Sequence, residues 1–291
     1  MATIDFTRIN TNIAALNALN TLREVNRSLA LAQTRLATGK RINEAADDPA
    51  GLTMATKLDV RATGMQVAID NIGDAKNLLA VAEGGLQKIN EILSKMRAKA
   101  ELAANDALSS DERSNIANEL AQYAQEIDDI VNTTLWNGQK LLDGTADFDF
   151  QTGPVSTNYT EWTLSQAFDV QGTGTAGLGD LATVSGGTYT VDEVSTAASA
   201  RAYMEKLDSA ISTVSNALAN IGSMVARLTF KEDTLAIGKV NTEAAYNRIM
   251  NADMAQEQLN NVKFQILQQT ATAMLAQANL APQAILQLMA G

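Results

Sequence analysis

The sequence predicts a mainly α protein: a long helical hairpin or coiled-coil bundle formed by its N- and C-terminal halves, with a small β-rich outer domain inserted between them. Three observations predict it. Aromatic residues make up 4% of the 291 and there are three prolines, while Ala, Leu, Asn and Gln dominate, a composition that favours helices over sheets. Apolar residues recur at alternating spacings of three and four toward both ends, which marks helix seams. Between them, residues 143–198 are rich in Thr, Ser and Gly, with short alternating stretches such as EWTLSQAFDV that read as strands and turns.

The elements follow in order. Ala15, Ala18, Leu22, Val25, Leu29, Ala32 and Leu36 form the first seam. Gly39 is a natural stop for that helix, and Asp48 followed by Pro49 is a natural start for the next. The second helix carries Leu79, Ala82, Leu86, Ile89, Leu93, Met96, Ala100 and Ala103, and a third carries Ile116, Leu120, Tyr123, Ile127 and Ile130. Asn137-Gly138, set between apolar runs in LWNGQKLLDG, is a two-residue hairpin signal, so a β-hairpin is expected near 135–142. After the inserted region the seam returns as Leu207, Ile211, Val214, Leu218, Ile221, Val225, Leu228 and Leu235. The tail closes with Leu259, Val262, Ile266, Gln269, Ala273, Ala276 and Leu280. Five segments result: 1–42, 43–142, 143–198, 199–245 and 246–291.

Composition narrows the function. With no Cys there is no disulfide or thiolate chemistry, and with no His there is no Ser–His–Asp triad or HExxH metal site. No cofactor is implied, and an enzyme is not expected. The net charge of −11 argues against a nucleic-acid binder, which needs a basic footprint. Residues 264–291 carry no charge, yet repeated Gln and Pro282 interrupt them, so membrane insertion is not expected. The N-terminal MATIDFTRINTN lacks the apolar core of a secretory signal. The uncharged tail is better read as a helix face that meets protein. The pattern leaves open whether this chain or another copy covers the seams, because an isolated helix is marginal in water.

The connector ATGKRINEAADDPAGLTM, residues 37–54, interrupts two helices with Lys40, Arg41, Glu44, Asp47, Asp48 and Pro49. Its charges are either solvated or make contacts to neighbours. Glu44, Asp47 and Asp48 are also a weaker candidate for a carboxylate metal site, and nothing glycine-rich supports a phosphate loop.

Several long motifs in one order resemble bacterial flagellin: INTNIAALNALN (9–20), RLATGKRINEAADDPAGL (35–52), EGGLQKINEIL (83–93), EIDDIVNTTLWNGQKLL (126–142), YNRIMNADMAQEQ (246–258) and ILQQTATAMLAQANLAPQAILQL (266–288). The resemblance covers roughly 1–142 and 200–291. It implies a structural subunit that self-polymerises into the flagellar filament, the extracellular helical propeller of swimming bacteria. Leu22, Val25, Leu29 and Leu36 would pair with Leu259, Val262, Ile266 and Leu280 in an inner-tube coiled coil, and the connector would be an assembly joint touching adjacent subunits. The implied partners are other copies of the chain, the export chaperone and gate of the flagellar type III apparatus, and the filament cap and hook–filament junction proteins. The alternative is a hook–filament junction protein of the same family. The family's epitope for the vertebrate Toll-like flagellin receptor falls on Lys95, Arg97 and Lys99, with Glu119 on the next helix. Lys99 stands where a Leu is expected, which implies weakened recognition.

Overall fold

The computed structural model describes residues 12–170, 178 and 181–290, excepting the side chains of 281–290. Residues 1–11 and most of the glycine-rich run VQGTGTAGLG lie outside the described residues. The chain divides into two compact units, residues 1–62 with 241–291, and residues 63–240.

The first unit is built on two antiparallel helices. Helix α1 (Ile13–Thr38) starts where the Asn12 side chain accepts the Ala15 N–H, at 2.9 Å, and stops at Gly39. There φ is 70°, a left-handed conformation that glycine adopts without a Cβ clash. Helix α5 (Met254–Ala290) starts on Asp253, whose carboxylate accepts the N–H groups of Ala255 and Gln256 at 3.0 and 3.1 Å. Three long-range contacts fix their direction: Asn12 Nδ2 to the Ala278 carbonyl at 2.7 Å, Gln268 Nε2 to Asn26 Oδ1 at 2.7 Å, and Arg35 to Glu257 at 3.2 Å.

The second unit contains most of helix α2 (Pro49–Ala103), all of α3 (Ser110–Thr133) and most of α4 (Ala197–Met250). Every residue of the predicted α2 seam from Leu79 to Ala103 is buried. Leu207, Val214, Ile221 and Leu228 on α4, with Leu120 and Ile127 on α3, join it in one apolar core. A capping box opens α3: Ser109 Oγ accepts the Glu112 N–H while the Glu112 carboxylate accepts the Ser109 N–H.

Strands β1 (Leu135–Trp136) and β2 (Gln139–Lys140) form the hairpin that Asn137-Gly138 signals, with φ of 49° and 81° at those two residues, as a tight two-residue turn requires. Two further antiparallel hairpins follow, β3 (Ala146–Gln151) with β4 (Tyr159–Leu164), and β5 (Thr183–Ser185) with β6 (Thr188–Thr190). Trp162, Leu164, Phe168, Val170, Val191 and Val194 bury into the same core as the three helices. The inserted region therefore shares the helical core instead of closing a separate one. A two-stranded hairpin is too small to stabilise itself in water and must pack on something larger. The last helical break also differs in place from the sequence expectation: α4 runs through residue 245 to Met250, and the break lies at Asn251–Asp253.

Candidate functional site

The two chain breaks are joined to each other. The Arg41 N–H donates to the Met250 carbonyl at 2.6 Å, and the Ala252 N–H donates to the Gly39 carbonyl at 2.9 Å. Lys40 pairs with Asn251 as an antiparallel bridge. The Arg41 guanidinium donates twice to the Ile249 carbonyl, at 3.3 and 3.1 Å, and reaches Asp48 at 3.4 Å. A helix end leaves its last carbonyls without intrahelical partners, so Arg41 caps α4 from a position more than 200 residues away in sequence. Beneath them Ile42 is 1% exposed and packs with Ala55 and Met250.

Two of the connector's acidic residues, Asp47 and Asp48, are already engaged with backbone. Asp47 Oδ2 accepts the N–H groups of Asn43 and Glu44 at 2.9 and 3.1 Å, and these bonds hold its carboxyl below the usual carboxylate range. Asp48 Oδ1 accepts the Gly51 N–H at 2.8 Å and caps α2, which begins at Pro49. Lys40 and Glu44 are exposed. Among the described residues no group of three His, Cys, Asp or Glu stands together as a metal site, and no helix is long and apolar enough to cross a membrane. Asp47 closes a turn and Asp48 caps a helix. Sequence reading found the connector and missed its partner, the Asn251–Asp253 break. The signal was there: Asp253 opens a helix as Asp48 does.

The α1–α5 pair holds a second finding. Leu22, Val25, Leu29 and Leu36 are buried or half-buried on the side of α1 that meets α5. Their expected partners are not. Leu259, Val262, Ile266 and Leu280 are 66%, 44%, 58% and 54% exposed, and Gln269, Ala273 and Ala276 of the same stripe are exposed too. The residues of α5 that are buried or half-buried are, among the described residues, Glu257, Asn260, Asn261, Phe264, Gln268, Ala271, Leu275 and Ala278. That stripe lies roughly 150° around the helix from the other, at 100° per residue. So the pair within the chain uses the more polar face of α5, helped by Arg35–Glu257 and Asn26–Gln268, and the more apolar face stays open.

The four residues at the expected receptor epitope are distributed by ion pairing. Lys99 and Glu119 pair at 2.8 Å, and Tyr123 also donates to Glu119 at 3.1 Å. The Glu119 carboxylate raises the Lys99 ammonium above its ordinary value, and Lys99 in turn holds Glu119 down. Arg97 reaches across to Asp208 on α4, and Lys95 turns back to Glu91 at 3.0 Å on its own helix. Exposed pairs such as these contribute little to stability and mainly set which charges remain open.

A helical pair with a second, uncovered apolar stripe, next to two clasped chain breaks, defines a helical structural protein with an apolar face open to another chain. Comparison with known proteins gives the family. Residues 9–147 match the bacterial flagellin N-terminal helical region, and residues 204–289 match the bacterial flagellin C-terminal helical region. The flagellin of Listeria monocytogenes is 34% identical over 97% of this chain and 99% of its own. The flagellar filament 33 kDa core protein of Treponema phagedenis is 32% identical over the same shares of the two chains. A solved structure of a putative flagellar hook-associated protein from Vibrio parahaemolyticus shares the fold, with a TM-score of 0.55 at 17% identity, covering 70% of this chain and all of that one. The chain belongs to the bacterial flagellin family, a family of structural proteins.

Proposed function

We propose that this chain polymerises with copies of itself into the flagellar filament, the extracellular propeller of a swimming bacterium. One observation carries the reading: the stripe Leu259, Val262, Ile266 and Leu280 is aligned along one face of α5 and left open by α1. Burying a side chain of this kind stabilises an assembly by about 1.5–3 kcal/mol. Four on one helix therefore form a strong driving face once a neighbouring copy covers them, and a persistent solubility penalty until then. The α1–α5 pair serves as the inner-tube element, and the clasp of Lys40, Arg41, Glu44, Asp47, Asp48 and Pro49 against 249–252 serves as the joint that holds that pair in register. The export chaperone and gate, the filament cap and the junction proteins are the transient partners that such a subunit meets. A role as the junction protein itself is the lesser reading, because the relatives that span nearly the whole chain are named flagellins and filament core proteins. Receptor recognition is weakened, since Lys99 both replaces an apolar contact and neutralises Glu119; a receptor reporter assay against a strongly stimulating flagellin measures it.

The test is seeded growth followed by electron microscopy, with the intact chain beside Ile266→Glu. Ile266 is 58% exposed, so the monomer tolerates the change. Long filaments from the intact chain and none from the variant are expected. Soluble monomers from the intact chain would remove the filament reading, and normal growth of the variant would remove the role of this face.

A further inference from the structure

Charge is divided unequally between the two units. Residues 63–240 carry 12 Lys and Arg against 24 Asp and Glu, a net of −12, whereas the remaining residues sum to +1. A unit so acidic repels its own copies unless some cation is left open for a neighbour. Two such cations stand together. Lys231 and Arg227 lie one helical turn apart on α4, and among the described residues neither has a carboxylate beside it. The Lys231 ammonium donates to the buried hydroxyls of Thr152, at 2.9 Å, and Thr160. Burial, and then the Arg227 charge, lower its pKa. Both cations line a groove between α4 and the turn at 152–159, rimmed by the exposed rings of Phe230 and Tyr159 and containing no acid.

The other flank of the same β3–β4 hairpin has the opposite sign. A second groove, against α2, is lined by Asp74 and Asp149. Asp149 stands directly across the strands from Glu161, a like-charge pair that costs stability. Neither Asp74, Asp149 nor Glu161 has a basic partner among the described residues. One hairpin thus separates an open cationic groove from an open acidic one on a single molecule. Two different, mutually complementary patches generate head-to-tail contact, the kind that builds rings or open helices.

We infer that the Arg227–Lys231 groove of one subunit receives the Asp74–Asp149–Glu161 flank of the next, so that this contact sets the lateral register between copies. The inference rests on the filament reading and names a specific contact within it. Charge complementarity fixes register and rejects wrong partners more than it adds affinity, and its effect is screened by salt.

The experiment measures the critical concentration for seeded growth of the full chain at low and high salt, with monomer melting followed in parallel. Arg227→Glu is expected to raise the critical concentration by about tenfold or more at low salt, with a monomer melt no lower than that of the parent chain, because a Glu one turn before Lys231 replaces a repulsion by an attraction. Asp149→Arg is expected to do the same while making the monomer more stable, because it turns the like-charge pair with Glu161 into an attractive one. The double variant restores growth to within about threefold of the parent chain, as a reciprocal pair does. Unchanged growth of Arg227→Glu, or loss in both single variants with no recovery when Asp149→Arg or Asp74→Arg is combined with Arg227→Glu, overturns the pairing. Failure of the parent chain itself to grow on seeds is a different result and counts against the filament reading instead.

Discussion

Replacing Gly51 by Ala tests the connector most directly. Within a helix this change ordinarily stabilises by about 0.8–1 kcal/mol, since Ala is the best helix former and Gly one of the worst. Gly51 is in the first turn of α2, and a Cβ there would sit 2.4 Å from Asp48 Oδ2, 2.8 Å from its Cγ and 2.9 Å from Ile42 Cδ1. The Asp48 carboxylate can rotate away, but it then gives up the 2.8 Å bond that caps the helix, a loss of about 0.5–2 kcal/mol. Ile42 is packed under the clasp with Ala55 and Met250, and overfilling a packed site costs about 1–3 kcal/mol. The net expectation is destabilisation by roughly 1–3 kcal/mol, confined to the unit of residues 1–62 and 241–291. Gly73 and Gly84 on the same helix have nothing within 4 Å of an added Cβ, so Gly73→Ala should show the ordinary gain of about 0.5–1 kcal/mol. Urea unfolding compares the two variants, and hydrogen exchange at residues 39–55 and 249–257 locates the change. If Gly51→Ala is as stable as Gly73→Ala and protection at the clasp is unaltered, the argument that Asp48 and Ile42 close the connector against Gly51 is wrong.

Asp128 should anchor the inserted region. It is 2% exposed on α3 and accepts the Val170 N–H at 2.8 Å and the Tyr189 hydroxyl at 2.7 Å. Asp128→Ala removes the acceptor of the buried Val170 N–H and of the half-buried Tyr189 hydroxyl and is expected to cost about 2–4 kcal/mol by urea unfolding, since a hydrogen bond to a charged group contributes about 1.5–3 kcal/mol. Its exposed neighbour Asp129 is the control, with Asp129→Ala expected within about 0.5 kcal/mol of the parent chain; equal effects at the two positions would show that burial of Asp128 does not matter. Filaments of Asp128→Ala, viewed by electron microscopy, should keep their helical core, because Asp128 and the open stripe of α5 belong to different compact units.

What the sequence determined by itself is whatever is local or periodic. Gly39 ends α1 because a left-handed residue is needed there, Asp48-Pro49 begins α2 because a cap and a preset φ are needed, and Asn137-Gly138 turns the first hairpin because both residues must take positive φ. The α2 seam from Leu79 to Ala103 was equally legible, since one face of that stretch is far more apolar than the other. The flagellin motifs were legible as motifs. Tertiary structure alone decided the rest. Helix α5 carries Leu259, Val262, Ile266 and Leu280 on one side and a more mixed stripe, Phe264 and Leu275 among Asn261, Gln268, Ala271 and Ala278, on the other, and both stripes keep a three–four spacing, so periodicity could not say which side meets α1. The chain gives α1 the more polar stripe and leaves the more apolar one for a neighbour, the reverse of what burial within one chain would favour. The clasp of Arg41 on Ile249 and Met250, the burial of Asp128 under Val170 and Tyr189, and the seating of Lys231 on Thr152 and Thr160 each join residues tens to hundreds of positions apart. No window of sequence contains both partners, and the energy of such a contact exists only once the rest of the chain has brought them together.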